Sequence, residues 1–273
     1  MKKIKLIFAF CILAFLISCD HGTITGNPLI SLTFNGSSQD ATIARLDIWQ
    51  RLYNAFIPTA VAAPSTIVDS GGRTVLLDEF WTTIGEVEFK FFETATADEV
   101  DGDSVELTGP YSSNILVTTA DPVGSVRIGL KAVRRIKVKL MRTDSLPAGA
   151  PVDFLNKSLL ISGTVNGVPF TLTSEDEAVV EVAGPNAVSV PNGSSLLLQL
   201  QIANIFKKIN LADITVPTNI SESNRVNSVN PCPNIDASAN DIYTCFRKGI
   251  ETEANFGRDD GDDELDINDD TVK

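Results

Sequence analysis

The chain predicts an all-β fold, an antiparallel β-sandwich with one short helix, and three observations carry that prediction. Apolar residues recur with a period of two, as in Gly85 to Phe92, where Val87, Phe89 and Phe91 share one face and Glu86, Glu88 and Lys90 the other. Asn166-Gly167 stands between two apolar runs, the strongest short-range hairpin signal. Short strands follow one another across turn residues without βαβ alternation, which favours a sandwich or barrel. A lipid-spanning barrel fits less well, because aromatics are only 7% of residues and no repeated ten-residue segments with aromatic girdles occur.

In chain order, Leu29 to Phe34 alternates and reads as the first strand, ended by Asn35-Gly36-Ser37-Ser38. Ile43 to Ile57 places Leu46, Trp49, Tyr53 and Phe56 at helical spacing, with Arg45, Asp47 and Arg51 between them, and Pro58 stops it. This helix either packs on its own domain or offers an aromatic stripe to a partner. Thr59 to Gly72, rich in Ala, Pro, Ser and Gly, reads as a connection. Strands are expected over residues 85–92, 104–107, 114–119, 126–130, 135–142, 159–165, 168–174, 178–182 and 196–202. Pro169, just past the Asn-Gly turn, places the start of its strand at an edge or a non-hydrogen-bonded position.

The first nineteen residues have a different character. Met1-Lys2-Lys3-Ile4-Lys5 is a positive start, Leu6 to Ile17 is a twelve-residue apolar run, and Leu16-Ile17-Ser18-Cys19 ends it. A spanning helix needs about 20 apolar residues, so the run is short for one. The arrangement resembles a bacterial lipoprotein signal peptide. That resemblance implies cleavage after Ser18, a diacylglycerol on the Cys19 thiol and, usually, an acylated amine. Two or more acyl chains give stable membrane attachment. The expected division is then a signal peptide over 1–18, a tether over 19–28, a β-sandwich domain over 29–225, a cysteine-containing insertion over 226–257 and an acidic tail over 258–273. Outer-membrane placement is favoured, although Asp20 follows the lipid cysteine as an inner-membrane retention signal does in some Gram-negative lineages.

The lipobox, the basic strand Ile136-Lys137-Val138-Lys139-Leu140, the hairpin Leu160 to Phe170 and the Asp/Gly-rich end together resemble β-sandwich lipoproteins of no assigned activity. The likeness covers roughly residues 80–265. It implies no reaction and supplies no site residues.

The chain carries 22 basic and 35 acidic side chains, a formal −13; loss of the leader, with three lysines and no acid, takes it to −16. This balance disfavours nucleic acid, whose phosphates reward basic surfaces. Beyond Cys11, within the leader, and Cys19, only Cys232 and Cys245 remain. In an exported chain they read as a disulfide, with free thiols or a metal pair as the alternatives. The fourteen-residue loop they would close is worth about 3 kcal/mol in the chain-entropy model.

Catalysis is constrained by what is missing. The single histidine, His21, lies in the tether, and GxSxG, SxxK, HExxH and GxxxxGK[ST] are absent. A paired-carboxylate hydrolase needs no histidine, and Asp78, Glu79, Glu86 and Glu88 are available, but Glu86 and Glu88 fit a solvent face. Eight acids crowd Asp259 to Asp270. They form a solvated tail or a calcium site, with Asp260, Asp262, Asp263 and Asp266 the first candidates as ligands, although the EF-hand spacing is absent. Lys131, Arg134, Arg135, Lys137, Lys139 and Arg142 concentrate basic charge, as a solvent face that blocks edge pairing or as a contact for anionic lipid or glycan. The expectation is a membrane-anchored, non-catalytic binding or structural module whose partner is a protein or a glycan. A carbohydrate-active protein is the alternative, with Trp49, Trp81 or Tyr111 as the aromatic platform.

Overall fold

The fold is that of a computed structural model, which describes residues 29–37, 65–92, 104–117, 121–128, 132–191, 193–258, 265 and 270–272. The chain is all-β. Its strands are β1 (Leu29–Ser37), β2 (Ser65–Val68), β3 (Thr74–Phe92), β4 (Ser104–Asn114), β5 (Asp121–Arg127), β6 (Ala132–Leu140), β7 (Leu159–Val165), β8 (Val168–Ser174), β9 (Ala178–Ser189), β10 (Ser195–Gln201), β11 (Thr218–Ile220), β12 (Ala254–Arg258) and β13 (Asp270–Thr271). Two helices, α1 (Ile202–Lys207) and α2 (Ile242–Thr252), and a 3-10 turn at Val152–Phe154 complete the described elements. The expected helix over 43–57 lies outside the described residues.

One sheet has the order β13-β12-β10-β1-β5, and the other runs β11-β8-β7-β3-β6-β9. β3 organises the second sheet because its nineteen residues outlast any neighbour. Its first half pairs with β2 and β7, its second half with β4 and β6. Register shifts at Leu77/Glu79 and Ile84/Glu86 bend it between these partners. They also move the inward phase, so that Val75, Leu77, Phe80, Ile84, Val87, Phe89 and Phe91 are all buried.

The hairpin β7–β8 has the bounds expected from alternation, with Asn166 and Gly167 both at positive φ (47° and 82°), as a type I′ turn requires. Pro169 pairs with Thr164 on one side, while β11 reaches only Phe170 to Leu172 on the other, so no ladder needs a proton from Pro169. At Gly163 an added Cβ would stand 2.1 Å from the Leu76 carbonyl oxygen, which makes glycine obligatory in that pairing.

Several expectations change. Pairing is mixed rather than antiparallel throughout, since β1 runs parallel to β10 and β8 parallel to β11. Two described helices stand where one short helix was expected, and neither falls on 43–57. The strand expected over 114–119 ends at Asn114, because the Asn114 side chain accepts from the Leu116 amide at 3.2 Å and turns the chain. β10 stops at Gln201, and Ile202 opens a helix. The basic strand, β6, is flanked by β3 and β9, so its lysines guard no edge.

The two sheets and both helices share one apolar core. Phe89 of one sheet meets Phe256 of the other at 6.2 Å between ring centroids, and Phe206 of α1 meets Phe246 of α2 edge-on at 5.0 Å. Segment 226–257 supplies Cys232, Ile242, Cys245, Phe246, Ile250 and Phe256 to this core. Its last strand, β12, lies between β10 and β13, and Val272 beyond β13 is fully buried.

Candidate functional site

Cys232 and Cys245 form a disulfide with 5.8 Å between their Cα atoms, both fully buried. The bond fastens the loop before α2 to the first turn of that helix. Asp241 caps the same turn, its carboxylate accepting from the Thr244 amide at 2.7 Å. α2 thus starts from a fixed point, and that fixes Tyr243. Cys19, His21 and Trp49 lie outside the described residues, as do Asp260, Asp262, Asp263 and Asp266. Among the described residues no group of three or more His, Cys, Asp or Glu side chains is placed to hold a metal ion.

Tyr243 is the hub of the most polar cluster. Its side chain is buried, yet its hydroxyl meets Glu222 Oε1 at 2.8 Å, Asp176 Oδ2 at 3.2 Å and Ser174 Oγ at 3.0 Å. Ser174 ends β8, Asp176 sits in the turn to β9, and Glu222 follows β11, so two separate chain segments converge on α2. Arg247, one turn along α2, reaches Asp176 at 2.9 Å and Glu251 at 3.3 Å. Arg225 stacks 5.0 Å from the Tyr243 ring centroid. Arg225, Tyr243, Thr244, Arg247, Lys248 and Glu251 surround an open cleft of about 220 Å³.

Two carboxylates on one hydroxyl invite comparison with a glycosidase pair, but the electrostatics oppose it. Burial pushes the Glu222 carboxyl up. Its own backbone N–H, the Tyr243 hydroxyl and the Glu175 N–H outweigh that and hold it at about 2. A general acid needs the opposite displacement. Burial, reinforced by the hydrogen bond and charge of Glu222, pushes the Tyr243 hydroxyl up and away from use as a base. The cations around the cleft are matched as well: Lys248 pairs with Glu251 at 2.9 Å and Arg225 with Asp241 at 3.5 Å. The arrangement clamps α2 to the β8–β9 turn.

The buried Asp69 carboxylate is consumed in the same way. It accepts from the amides of Gly71, Arg73 and Leu211 and from the Arg73 guanidinium, all between 2.7 and 2.9 Å. This ties the β2–β3 turn to the chain beyond α1.

Glu86, Glu88, Lys137 and Lys139 share the outer face of the larger sheet, where register sets Glu106, Glu88, Lys137 and Glu181 in one row. Arg135 pairs with Glu181 at 2.9 Å, Lys139 with Glu177 at 3.0 Å and Lys90 with Glu88 at 2.7 Å. The Lys90 hydrogen bond leads the causes that hold the Glu88 carboxyl low. Lys131 lies outside the described residues, and the described part of the basic concentration is a ladder of mixed charge. Asp78 is exposed at the bulge, and Glu79 is half-buried on the same outer face.

Of the aromatic candidates, Tyr111 is half-buried with its hydroxyl on the Thr108 carbonyl at 2.9 Å, and Trp81 is 8% exposed beneath the segment before β7. An open aromatic platform is absent among the described residues. No family model, curated protein or solved structure matches the chain.

Proposed function

We propose that the chain is an exported lipoprotein, anchored through acylated Cys19, whose all-β body is a sandwich of two facing sheets serving as a non-catalytic binding or structural module. The observation that carries this reading is the basic, apolar and Leu16-Ile17-Ser18-Cys19 succession at the start of the chain. The Cys232–Cys245 disulfide supports it, because such bonds persist in oxidising compartments outside the cytoplasm. No helix among the described residues is long and apolar enough to cross a membrane. The clamped state of Tyr243, Glu222 and Asp176 supports a non-catalytic body. Outer-membrane placement remains favoured.

The test is metabolic labelling with an alkyne-bearing palmitate, followed by fractionation and protease shaving of intact cells. The mature chain should begin at Cys19 and carry label in the membrane fraction; Cys19→Ala should lose both label and membrane association. An unlabelled chain that retains residues 1–18 would refute the anchor.

Calcium stabilisation belongs to this proposal through one specific feature. Arg258 and Asp270 are paired neighbours in β12 and β13, so the acidic stretch between them leaves and re-enters the sheet at a single place. Asp260, Asp262, Asp263 and Asp266, which fall between those two paired residues in sequence, are the proposed carboxylate ligands.

A further inference from the structure

The packing of Trp81 leaves one group unsatisfied. Register places Trp81 beside Leu160 and Thr173 in one row of the larger sheet's outer face, and Glu79 beside Ser162 and Thr171 in the next. Residues two apart along a strand share a face, so these six side chains form one continuous surface. Over it runs a strap, residues 143–156, closed at its base where the Thr143 amide donates to the Lys157 carbonyl at 3.0 Å and the Asn156 amide to the Thr143 carbonyl at 2.9 Å. The strap seats Phe154 on the indole, with ring centroids 5.9 Å apart, and Ala150 against the same small cluster. Trp81, Phe154 and Leu160 form this cluster apart from the main core. Within it the Trp81 Nε1–H is buried and has no acceptor. Such a donor is costly to leave unpaired, and it marks a place where an acceptor is missing.

The strap itself is weakly held. It inserts one aromatic plug while Leu146, Val152 and Leu155 point outwards, at 40%, 75% and 41% exposure. Compact loops with so little inward packing sit at the low-stability end of a fold.

We propose that the Trp81 face is a binding site for neutral saccharides and that the strap is its cover, with a sugar ring replacing Phe154 on the indole. The chemistry selects this ligand class. A sugar offers a C–H face to stack on the indole and an oxygen to accept the Nε1–H. Its remaining hydroxyls meet Glu79, Ser162, Thr171 and Thr173. An aliphatic chain has no acceptor for the indole, and Glu79 with the strap's Asp144 and Asp153 repels a polyanion. The site deepens the binding-module reading above, but it rests on residues unconnected with Cys19, so the two fail separately.

The experiment presents the full chain, purified in detergent, with immobilised cellotetraose, xylotetraose, mannotetraose, maltotetraose and chitotetraose. The wild type should bind at least one of them. Trp81→Phe, which keeps a ring and loses the donor, should weaken that binding roughly five- to tenfold. Phe154→Ala removes the plug and should tighten binding, because the closed fraction no longer competes. Glu79→Gln, at the half-buried rim where folding is not at stake, should weaken it as well. No binding by wild type and Phe154→Ala alike, or binding that Trp81→Phe and Glu79→Gln leave unchanged, overturns the proposal.

Discussion

Glu222→Gln isolates the clamp on α2. The substitution keeps a side-chain oxygen where the Tyr243 hydroxyl donates at 2.8 Å and the Asp176 amide at 3.2 Å, and it removes only the charge. Held at about 2 against an ordinary 4.5, the carboxyl stands for about 3 kcal/mol at roughly 1.4 kcal/mol per pH unit. Glu222 borders solvent, and screening reduces this to about 1–2 kcal/mol. Because the folded value lies below the unfolded one, the contribution is complete above pH 4.5 and drains away as pH falls towards 2. At pH 3 less than half should remain. Urea unfolding of wild type and Glu222→Gln at pH 7, 4 and 3, with equal m-values, measures it. The variant should be less stable by about 1–2 kcal/mol at pH 7 and by less than half of that at pH 3. A deficit that is the same at both pH values would refute the electrostatic account and leave a steric one.

Reduction of Cys232–Cys245 should lower stability by about 2–4 kcal/mol, read from urea unfolding with and without dithiothreitol; a stability loss below about a tenth of that would mean the loop is held without the bond. Gly163→Ala drives a Cβ into the Leu76 carbonyl and should cost about 2–4 kcal/mol while Gly167→Ala, at the turn, costs about 1 kcal/mol through its positive φ alone. The reverse order of those two thermal shifts would contradict the β3–β7 register.

The parts of the fold readable from sequence are those fixed by local pattern. β7 and β8 were legible to the residue because alternation and one Asn-Gly turn determine that hairpin alone. The first half of β3 was not, since Phe80 is buried on the core face and Trp81 under the strap, which erases the alternation, and two bulges then shift its phase. α2 had a legible signal. Ile242, Tyr243, Cys245, Phe246, Gly249 and Ile250 recur at helical spacing behind the Asp241 cap, inside the segment that the cysteine pair marks as an insertion. The parallel pairing of β1 with β10 joins Ser31 to Ser195, and no local periodicity encodes a partner that distant. The clamp was hidden for the same reason: Ser174, Glu222 and Tyr243 form no motif in sequence and meet only through the topology.

That topology also dictates how calcium binding must be tested. Leu32, Leu196, Arg258 and Asp270 form one row across four strands, about 14 Å at about 4.8 Å per strand, and Leu29 lies just below it. Arg258 and Asp270, which bound the acidic stretch in sequence, therefore lie at the same end of the sheet as Leu29. Deleting residues 258–273 would remove buried Val272 and the β12–β13 pairing together with the carboxylates, so the loss would report on folding. The informative variant keeps the chain length and neutralises Asp260, Asp262, Asp263 and Asp266 to Asn. With a dissociation constant of about 1 mM, usual for extracellular sites, 10 mM calcium stabilises by about 1.4 kcal/mol. For a domain of this size that raises Tm by about 3–5 °C in the wild type. The fourfold variant should move by less than about 1 °C, since it has lost the charge that binds the ion. Equal shifts in both proteins, or none in the wild type, would overturn calcium binding by these acids.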